Sequence, residues 1–175
     1  MENLLKYSNS PYLKQHESNP VYWQPWNKET LEKAKKSQKP IFLSVGYASC
    51  HWCHVMAHES FEDNETAKIM NEKFINIKVD REERPDLDYV FQRSLSILTG
   101  AQGGWPLSMF LDENGVPFTG GTYFPPKEMH GRPNFKSVLE NVSDVYEKNR
   151  EKIISQVDQM KSVFDELNRK TSVLN

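Results

Sequence analysis

Two cysteines stand where the sequence pattern changes from a buried strand to a helix. Residues 40–47 ("PIFLSVGY") are apolar with β-branched and aromatic members, which predicts a strand buried on both faces of a sheet. After Cys50 the apolar positions follow helical spacing, so Cys50 and Cys53 fall on the first turn of a helix. This order predicts an α/β fold in which a C-x-x-C pair follows a central strand.

Further strands and helices are predicted on both sides of this junction. They are a helix from Asn27 that the Lys39-Pro40 pair ends, a second helix after a break near residues 62–66, a strand over 74–80, a helix from Pro85 to Gly100, and two antiparallel strands joined at Asn114-Gly115. Residues 134–170 keep helical spacing, either as one long helix or as two helices that break near residues 148–150.

We expect a single domain over residues 1–175. The chain is 37% hydrophobic and 11% aromatic, which is enough to bury one core. Within this domain we distinguish an N-terminal extension over residues 1–26, a core of sheet and helices over 27–125, and the C-terminal helix or helices over 134–170.

The charge and the hydropathy of the chain argue against two classes of partner. The formal net charge is −2, so we expect no broad charged surface for nucleic acid or an anionic membrane. The first residues contain no apolar run of signal-peptide length, and no segment approaches the roughly 20 apolar residues that span a bilayer. These observations predict a cytoplasmic protein without nucleic-acid or membrane partners.

The spacing of the two cysteines indicates reactive thiols. Cys50 and Cys53 are the only cysteines, whereas a secreted disulfide framework normally uses more pairs spread along the chain. At a helix N-terminus, unpaired N–H groups and the helix dipole favour the thiolate, so we expect Cys50 to attack. Cys53 lies close enough to resolve a mixed disulfide and should be the more buried of the two. Two inert core cysteines are the weaker interpretation, because buried unreactive thiols need no such junction.

A zinc site is a second interpretation of the same segment. His54 and His58 are one helical turn apart, and Cys50 lies one turn before His54, so several ligand types share a helix face. A single helix cannot surround a tetrahedral ion, however, and outside this segment only His16 and His130 are further histidines. We therefore predict no metal.

Covalent haem is a third interpretation. The letters "CHWCH" satisfy the C-x-x-C-H signature, with His54 as the axial ligand. Haem-attachment segments usually lie in small, exported helical domains, whereas this motif follows a predicted buried strand and no export signal is evident. The context therefore favours thiol chemistry without a cofactor.

Neighbouring side chains could support that chemistry. His51 lies between the two cysteines in sequence and has two interpretations. A protonated imidazole there would stabilise the thiolate and make the disulfide more oxidising. Alternatively, His51 is a solvent-facing spacer. Trp52 is either an apolar contact surface beside the sulfurs or a packing residue. We expect His54 and His58 to be satisfied by local hydrogen bonds on their helix.

Four long segments resemble one known family. They are "SPYLKQHESNPVYWQPW", "KPIFLSVGYASCHWCHVMAHESFED", "IKVDREERPDLD" and "GGWPLSMFLDENGVPFTGGTYFPP". Together they resemble the N-terminal domain of the YyaL/spermatogenesis-associated protein 20 family, described as DsbH-like thioredoxins (DUF255), over about residues 4–130. The resemblance implies a thioredoxin-like fold, with a central mixed β-sheet flanked by helices and residues 27–125 as the thioredoxin core.

The resemblance also implies roles for particular residues. In thioredoxins the first cysteine is the nucleophile and the second the resolving thiol, which here are Cys50 and Cys53. Trp105-Pro106 corresponds to the cis-proline loop that faces the disulfide and presents backbone to a substrate chain. A trans proline at the start of a strand is the ordinary alternative, but the hairpin that follows favours the cis bond.

One departure from thioredoxins concerns the proton. Thioredoxins carry a buried acid six residues before the first cysteine, where this chain has Ser44. A hydroxyl cannot take the thiol proton as a carboxylate would, so proton transfer is expected to use His51, His54, Asp80 or water. Asp80 also opens the charged loop 80–88, which is either a solvated group of ion pairs or a binding element.

In the resembling family this domain precedes a large helical domain similar to six-hairpin sugar-active enzymes. We therefore expect the chain to be a domain excised from a longer protein, with that helical domain as a candidate partner. The leading hypothesis is a cytosolic thiol-disulfide oxidoreductase that acts on a protein or peptide disulfide and needs no cofactor. The alternative is a non-catalytic binding or redox-sensing module that serves the helical domain.

Overall fold

A five-stranded mixed sheet flanked by helices forms the centre of the protein. The computed structural model describes residues 1–173, so the last two residues of the predicted domain, 174 and 175, lie outside the described range. The strands are β1 (Trp23–Gln24), β2 (Ile41–Gly46), β3 (Ile75–Asp80), β4 (Leu107–Leu111) and β5 (Pro117–Gly121). The helices are α1 (Pro11–Lys14), α2 (Lys28–Ser37), α3 (His51–Met56), α4 (Asn64–Lys73), α5 (Pro85–Thr99), α6 (Phe135–Lys148) and α7 (Arg150–Val173).

The strand order is β1-β3-β2-β4-β5, which makes β2 the central strand. It pairs in parallel with β3 and antiparallel with β4, so that Ser44 lies between Lys78 on one side and Ser108 on the other. The prediction of a central mixed sheet of the thioredoxin type is therefore confirmed. The strand that enters the cysteine motif is therefore an interior strand with a hydrogen-bonded neighbour on each side.

Alternate residues of β2 face two separate cores. Ile41, Leu43 and Val45 pack with side chains of α2 and α5 on one face of the sheet. Phe42 points to the other face, which also holds the two cysteines and apolar residues of α3, α4 and α6. Every residue of β2 and β3 is buried, as expected for strands covered on both faces.

The helix and turn signals in the sequence act where they were expected. Asn27 caps α2 by accepting a hydrogen bond from the backbone N–H of Thr30. Gly100 follows α5 with a φ of 71°, and Gly115 takes a φ of 84° in the turn between β4 and β5. The C-terminal segment is two helices, because the helical pattern breaks at Asn149.

The segment over residues 1–26 contributes directly to the sheet and to the core. A short 3₁₀ turn (Leu4–Tyr7) precedes α1, and β1 pairs with the edge of β3. Leu5, Tyr12 and Trp23 are buried in the same core as the cysteines. Within residues 1–173, no helix is both long enough and apolar enough to cross a bilayer.

Candidate redox site

Cys50 and Cys53 form a disulfide at the junction of β2 and α3. Their Cα atoms are 5.3 Å apart. Cys50 is the N-cap residue of α3, where its sulfur accepts a hydrogen bond from the backbone N–H of Cys53 at 3.3 Å. Cys50 is 4% exposed and Cys53 is 1% exposed, in the predicted order of burial. The sulfur nearer the surface therefore lies at the positive end of a helix, where a thiolate is stabilised.

An aromatic surface adjoins the disulfide. Trp52 is 52% exposed, and its ring centroid lies 5.4 Å from that of His51 and 5.0 Å from that of Tyr123. The Tyr123 hydroxyl donates a hydrogen bond to Glu59. Burial, aided by this hydrogen bond, raises the pKa of Tyr123 to about 12, so the hydroxyl keeps its proton. His51 is exposed beside this aromatic surface. Tyr123 belongs to the surface but was not identified from the sequence.

His54 lies on α3, His58 lies on the π-helical turn that follows it (Ala57–Phe61), and both have local partners. His54 Nε2 donates to the carbonyl oxygen of Ala48 at 2.6 Å, and His58 Nδ1 lies 3.0 Å from a carboxylate oxygen of Glu62. This confirms the expected local hydrogen bonds. Among the residues that the structure describes, no group of three or more His, Cys, Asp or Glu side chains is placed to hold a metal ion.

The peptide bond between Trp105 and Pro106 is cis, as predicted. The indole of Trp105 packs edge-on against Tyr47, with ring centroids 5.8 Å apart. Tyr47 in turn accepts a hydrogen bond at its carbonyl oxygen from the backbone N–H of Cys50, at 3.2 Å. The proline loop and the cysteine loop are thus connected through Tyr47.

A buried carboxylate holds the Trp105 loop in place. Asp88, 6% exposed, accepts a hydrogen bond from Trp105 Nε1 at 2.9 Å and forms an ion pair with Arg81 at 3.3 Å. The Arg81 guanidinium also lies over the Trp105 ring, 4.3 Å from its centroid. Arg84 and Asp86 pair at the surface instead. The charged segment 80–88, expected to be a loop, instead spans the end of β3, a short turn and the first turn of α5. It contains both a surface ion pair and a buried contact to the candidate site.

Ser44 has a buried cation as its neighbour. Lys78 Nζ donates a hydrogen bond to Ser44 Oγ at 2.8 Å, and both residues are essentially unexposed. The ammonium also lies 4.7 to 5.3 Å from the ring centroids of Tyr12, Trp23 and Phe61. Burial lowers the pKa of Lys78 to about 7, so it can gain or lose a proton near neutral pH. The alternating pattern over residues 74–80 does not indicate a buried Lys78, because polar residues at alternate positions are typical of a strand with one face toward solvent.

Both carboxylate oxygens of Asp80 accept hydrogen bonds within the fold. One carboxylate oxygen accepts a hydrogen bond from Ser10 Oγ at 2.7 Å, and the other accepts from the backbone N–H of Glu82 at 2.9 Å. It is 6% exposed and follows Lys78 on the same face of β3. Its expected part in proton transfer, like those of His51 and His54, stays a prediction.

Comparison with known proteins agrees with the resemblance seen in the sequence. Over 152 residues, 87% of this chain, it is 47% identical to human spermatogenesis-associated protein 20 and 49% identical to an uncharacterized protein of Caenorhabditis elegans. These matches cover 19% and 21% of the two relatives, so the chain spans about a fifth of their length.

The chain is also similar to a solved structure and matches a family model. The structure described as "DsbH Oxidoreductase" aligns with a TM-score of 0.51 at 18% identity, covering 73% of this chain and 85% of that one. This alignment shows a shared thioredoxin-type fold. Residues 2–165 match the family model Thioredox_DsbH, described as "Protein of unknown function, DUF255". With nearly the whole chain matched and the cysteine pair in place, the chain belongs to this DsbH-like thioredoxin family.

Proposed function

We propose that this domain is a thiol-disulfide oxidoreductase that acts on a protein or peptide disulfide. The observation that carries the proposal is the Cys50–Cys53 disulfide, with the Cys50 sulfur at the N-cap of α3. The helix N-terminus favours the Cys50 thiolate, which is the attacking form in thiol-disulfide exchange. Burial of Cys53 behind it suits a resolving thiol that is inaccessible to other partners.

The proposed reaction transfers two electrons. The Cys50 thiolate attacks one sulfur of the substrate disulfide, and the other substrate sulfur leaves as a thiolate. The Cys53 thiolate then attacks Cys50 Sγ, which releases the second substrate thiolate and forms the disulfide seen in the structure. The substrate is reduced, the cysteine pair is oxidised, and the two thiol protons pass to solvent and to the released thiolates. A small thiol such as glutathione, or a protein dithiol, would return the pair to its reduced form.

Two surfaces support a polypeptide substrate. The cis-proline loop packs its Trp105 ring against Tyr47 of the cysteine loop, and Trp52 offers an exposed apolar face beside the sulfurs. An extended peptide could bind its backbone to the first and an apolar side chain to the second. We also propose a helical partner domain, because the relatives are about four to five times the length of this chain. The cytoplasmic location expected from the sequence remains part of the proposal.

The first test is redox equilibration with glutathione. We expect a reversible two-electron couple within the range of known thiol oxidoreductases. A Cys53→Ala variant should trap a disulfide-bonded peptide through Cys50, whereas the matched Cys50→Ala variant, which keeps only the more buried sulfur, should not. If the domain does not equilibrate and Cys53→Ala traps nothing, the redox proposal is wrong and a binding module takes its place.

A further inference from the structure

The N-terminal extension places an unsatisfied hydroxyl in the core. Ser10 caps α1. Tyr12, on the first turn of that helix, is 1% exposed and lies in the core that contains the cysteines. Its hydroxyl is buried and has no hydrogen-bond partner in the described part of the chain. A buried O–H without a partner costs free energy, so its retention calls for an explanation.

This hydroxyl lies next to the resolving cysteine. A Cβ atom added to Gly46, the last residue of β2, would meet both Tyr12 Oη and Cys53 Sγ at less than 3.0 Å. The two atoms therefore approach the same point and lie within about 5 Å of each other. Gly46 has no side chain, and this leaves the space between the phenol and the sulfur open.

Burial and the Asp80 carboxylate keep the proton of Tyr12 in place. The His16 ring packs edge-on against the Tyr12 ring, with centroids 4.8 Å apart. Burial, reinforced by Asp80, raises the pKa of Tyr12, so its hydroxyl is protonated at every working pH. Tyr12 can therefore act as a hydrogen-bond donor and not as a base.

We propose that Tyr12 donates a hydrogen bond to the Cys53 thiolate in the reduced domain. In the disulfide, Cys53 Sγ carries no charge and is a weak acceptor, which leaves the Tyr12 hydroxyl without a partner. Reduction breaks the S–S bond, and Cys53 Sγ becomes anionic when it loses its proton before attacking Cys50. It then lies within about 5 Å of Tyr12 Oη, so a charge-assisted hydrogen bond needs only a small movement of either side chain. The inference rests on the proposed redox function and adds a residue to it.

The donor changes the balance between disulfide and dithiol without taking part in electron transfer. Tyr12 keeps its proton throughout, while the Cys53 thiolate attacks Cys50 Sγ and the bond from Cys50 to the substrate sulfur breaks. Stabilising that thiolate favours the reduced pair, so the disulfide becomes more oxidising. Ser44 cannot act as a general base for Cys53, so the Cys53 proton passes to water, and a donor that stabilises the thiolate makes this proton loss more favourable.

The test compares Tyr12→Phe with Tyr146→Phe. Tyr146 is equally buried, but its hydroxyl accepts a hydrogen bond from the backbone N–H of Glu113, at 3.1 Å, in another part of the core. We expect Tyr12→Phe to shift the glutathione equilibrium about tenfold toward the disulfide, which is about 30 mV for a two-electron couple. It should also slow the internal attack of Cys53 on a Cys50–glutathione disulfide, whereas Tyr146→Phe should leave both unchanged.

Three results would overturn or restrict the inference. If Tyr12→Phe matches the wild type in both measurements, Tyr12 does not stabilise Cys53. If the wild-type domain does not equilibrate with glutathione at all, the proposed function fails and the role of Tyr12 fails with it. A measurement on the wild type needs no folded variant: the ¹³C chemical shift of the Tyr12 Cζ atom should change on reduction, and an unchanged shift contradicts the hydrogen bond.

Discussion

Lys78 Nζ donates a hydrogen bond to Ser44 Oγ across the two central parallel strands, at 2.8 Å, with both side chains buried. Ser44 stands at the position where thioredoxins carry an acid. Here that side chain is neutral and accepts a hydrogen bond from a buried cation, Lys78. Ser44 cannot neutralise that cation, and the faces of three aromatic rings surround it instead. The interior of this domain thus holds a titratable group that local sequence pattern alone did not identify.

Lys78 should make the stability of the fold rise with pH above neutrality. Burial lowers its pKa from 10.5 to about 7, whereas the unfolded chain keeps the ordinary value. Between these two values the unfolded chain binds more protons, so the free energy of unfolding rises by up to about 1.4 kcal/mol per pH unit. We expect Lys78→Met to lose this rise in urea unfolding measured at pH 6, 7, 8 and 9.

The exposed Lys68 provides the matched control for this prediction. Lys68→Met should retain the wild-type slope of stability against pH. If the Lys78→Met curve instead runs parallel to that of the wild type, Lys78 does not titrate in this range.

The contrast between Asn27 and Lys78 shows what the sequence can and cannot predict. The capping role of Asn27 depends on a backbone N–H three residues away, so the local pattern contains its cause. Lys78 and Ser44 are 34 residues apart, and their contact depends on the register between β2 and β3. The pattern predicts both strands and the burial of residues 40–47, but it does not show that Lys78 is buried or which polar side chains meet inside.

The same contrast between local patterns and long-range contacts applies to the candidate site. The cysteine pair and the cis bond before Pro106 were predicted, because one belongs to a short motif and the other to a long family resemblance. The contacts of Tyr12 and Asp88 were not, since each joins segments that are distant in sequence. Residues 1–26 were regarded as an extension, yet folding brings their aromatic side chains beside the sulfurs.

His16 should destabilise the fold in mild acid. Burial, with the nearby charges of Lys78 and His54, lowers its pKa from 6.5 to about 2. Below pH 6.5 the unfolded chain gains a proton that the native state does not, so stability falls as the pH falls. Between pH 7 and pH 5 this group should remove about 2 kcal/mol from the free energy of unfolding.

Urea unfolding of His16→Leu at pH 5 and pH 7 tests this value. The difference between the two pH values should shrink by that amount in the variant. The control is His58→Leu, at an exposed histidine that pairs with Glu62, and it should not show the same flattening. An equal loss of stability in acid for wild type and His16→Leu would contradict the prediction.

Asp88 should position the Trp105 loop for substrate without changing the chemistry of the sulfurs. Asp88→Asn removes the ion pair with Arg81 and weakens the hold on the Trp105 indole. We expect kcat/KM for a disulfide-bonded peptide to fall by about 10- to 100-fold, because a displaced binding loop misaligns the reacting sulfurs. The glutathione equilibrium of the cysteine pair should stay at its wild-type value.

Asp86 offers a control on the same first turn of α5. It accepts two hydrogen bonds from Arg84, at 2.8 and 3.0 Å. Asp86→Asn should therefore leave kcat/KM near the wild-type value. If the two variants behave alike, the charged segment 80–88 acts through its overall charge and not through the contact to Trp105.

Gly46 should tolerate no side chain, although it lies in a strand with an ordinary backbone conformation. An added Cβ would meet Tyr12 Oη and Cys53 Sγ at less than 3.0 Å, and neither neighbour is the end of a flexible chain. We expect Gly46→Ala to lower the free energy of unfolding of the oxidised domain by about 1 to 3 kcal/mol, measured by urea unfolding. At Gly104 the nearest atom to an added Cβ is Thr122 Cγ2 at 3.6 Å, so Gly104→Ala should be nearly neutral. Equal stability of the two variants would mean that the phenol and the sulfur can separate freely, which would also weaken the case for a hydrogen bond between them.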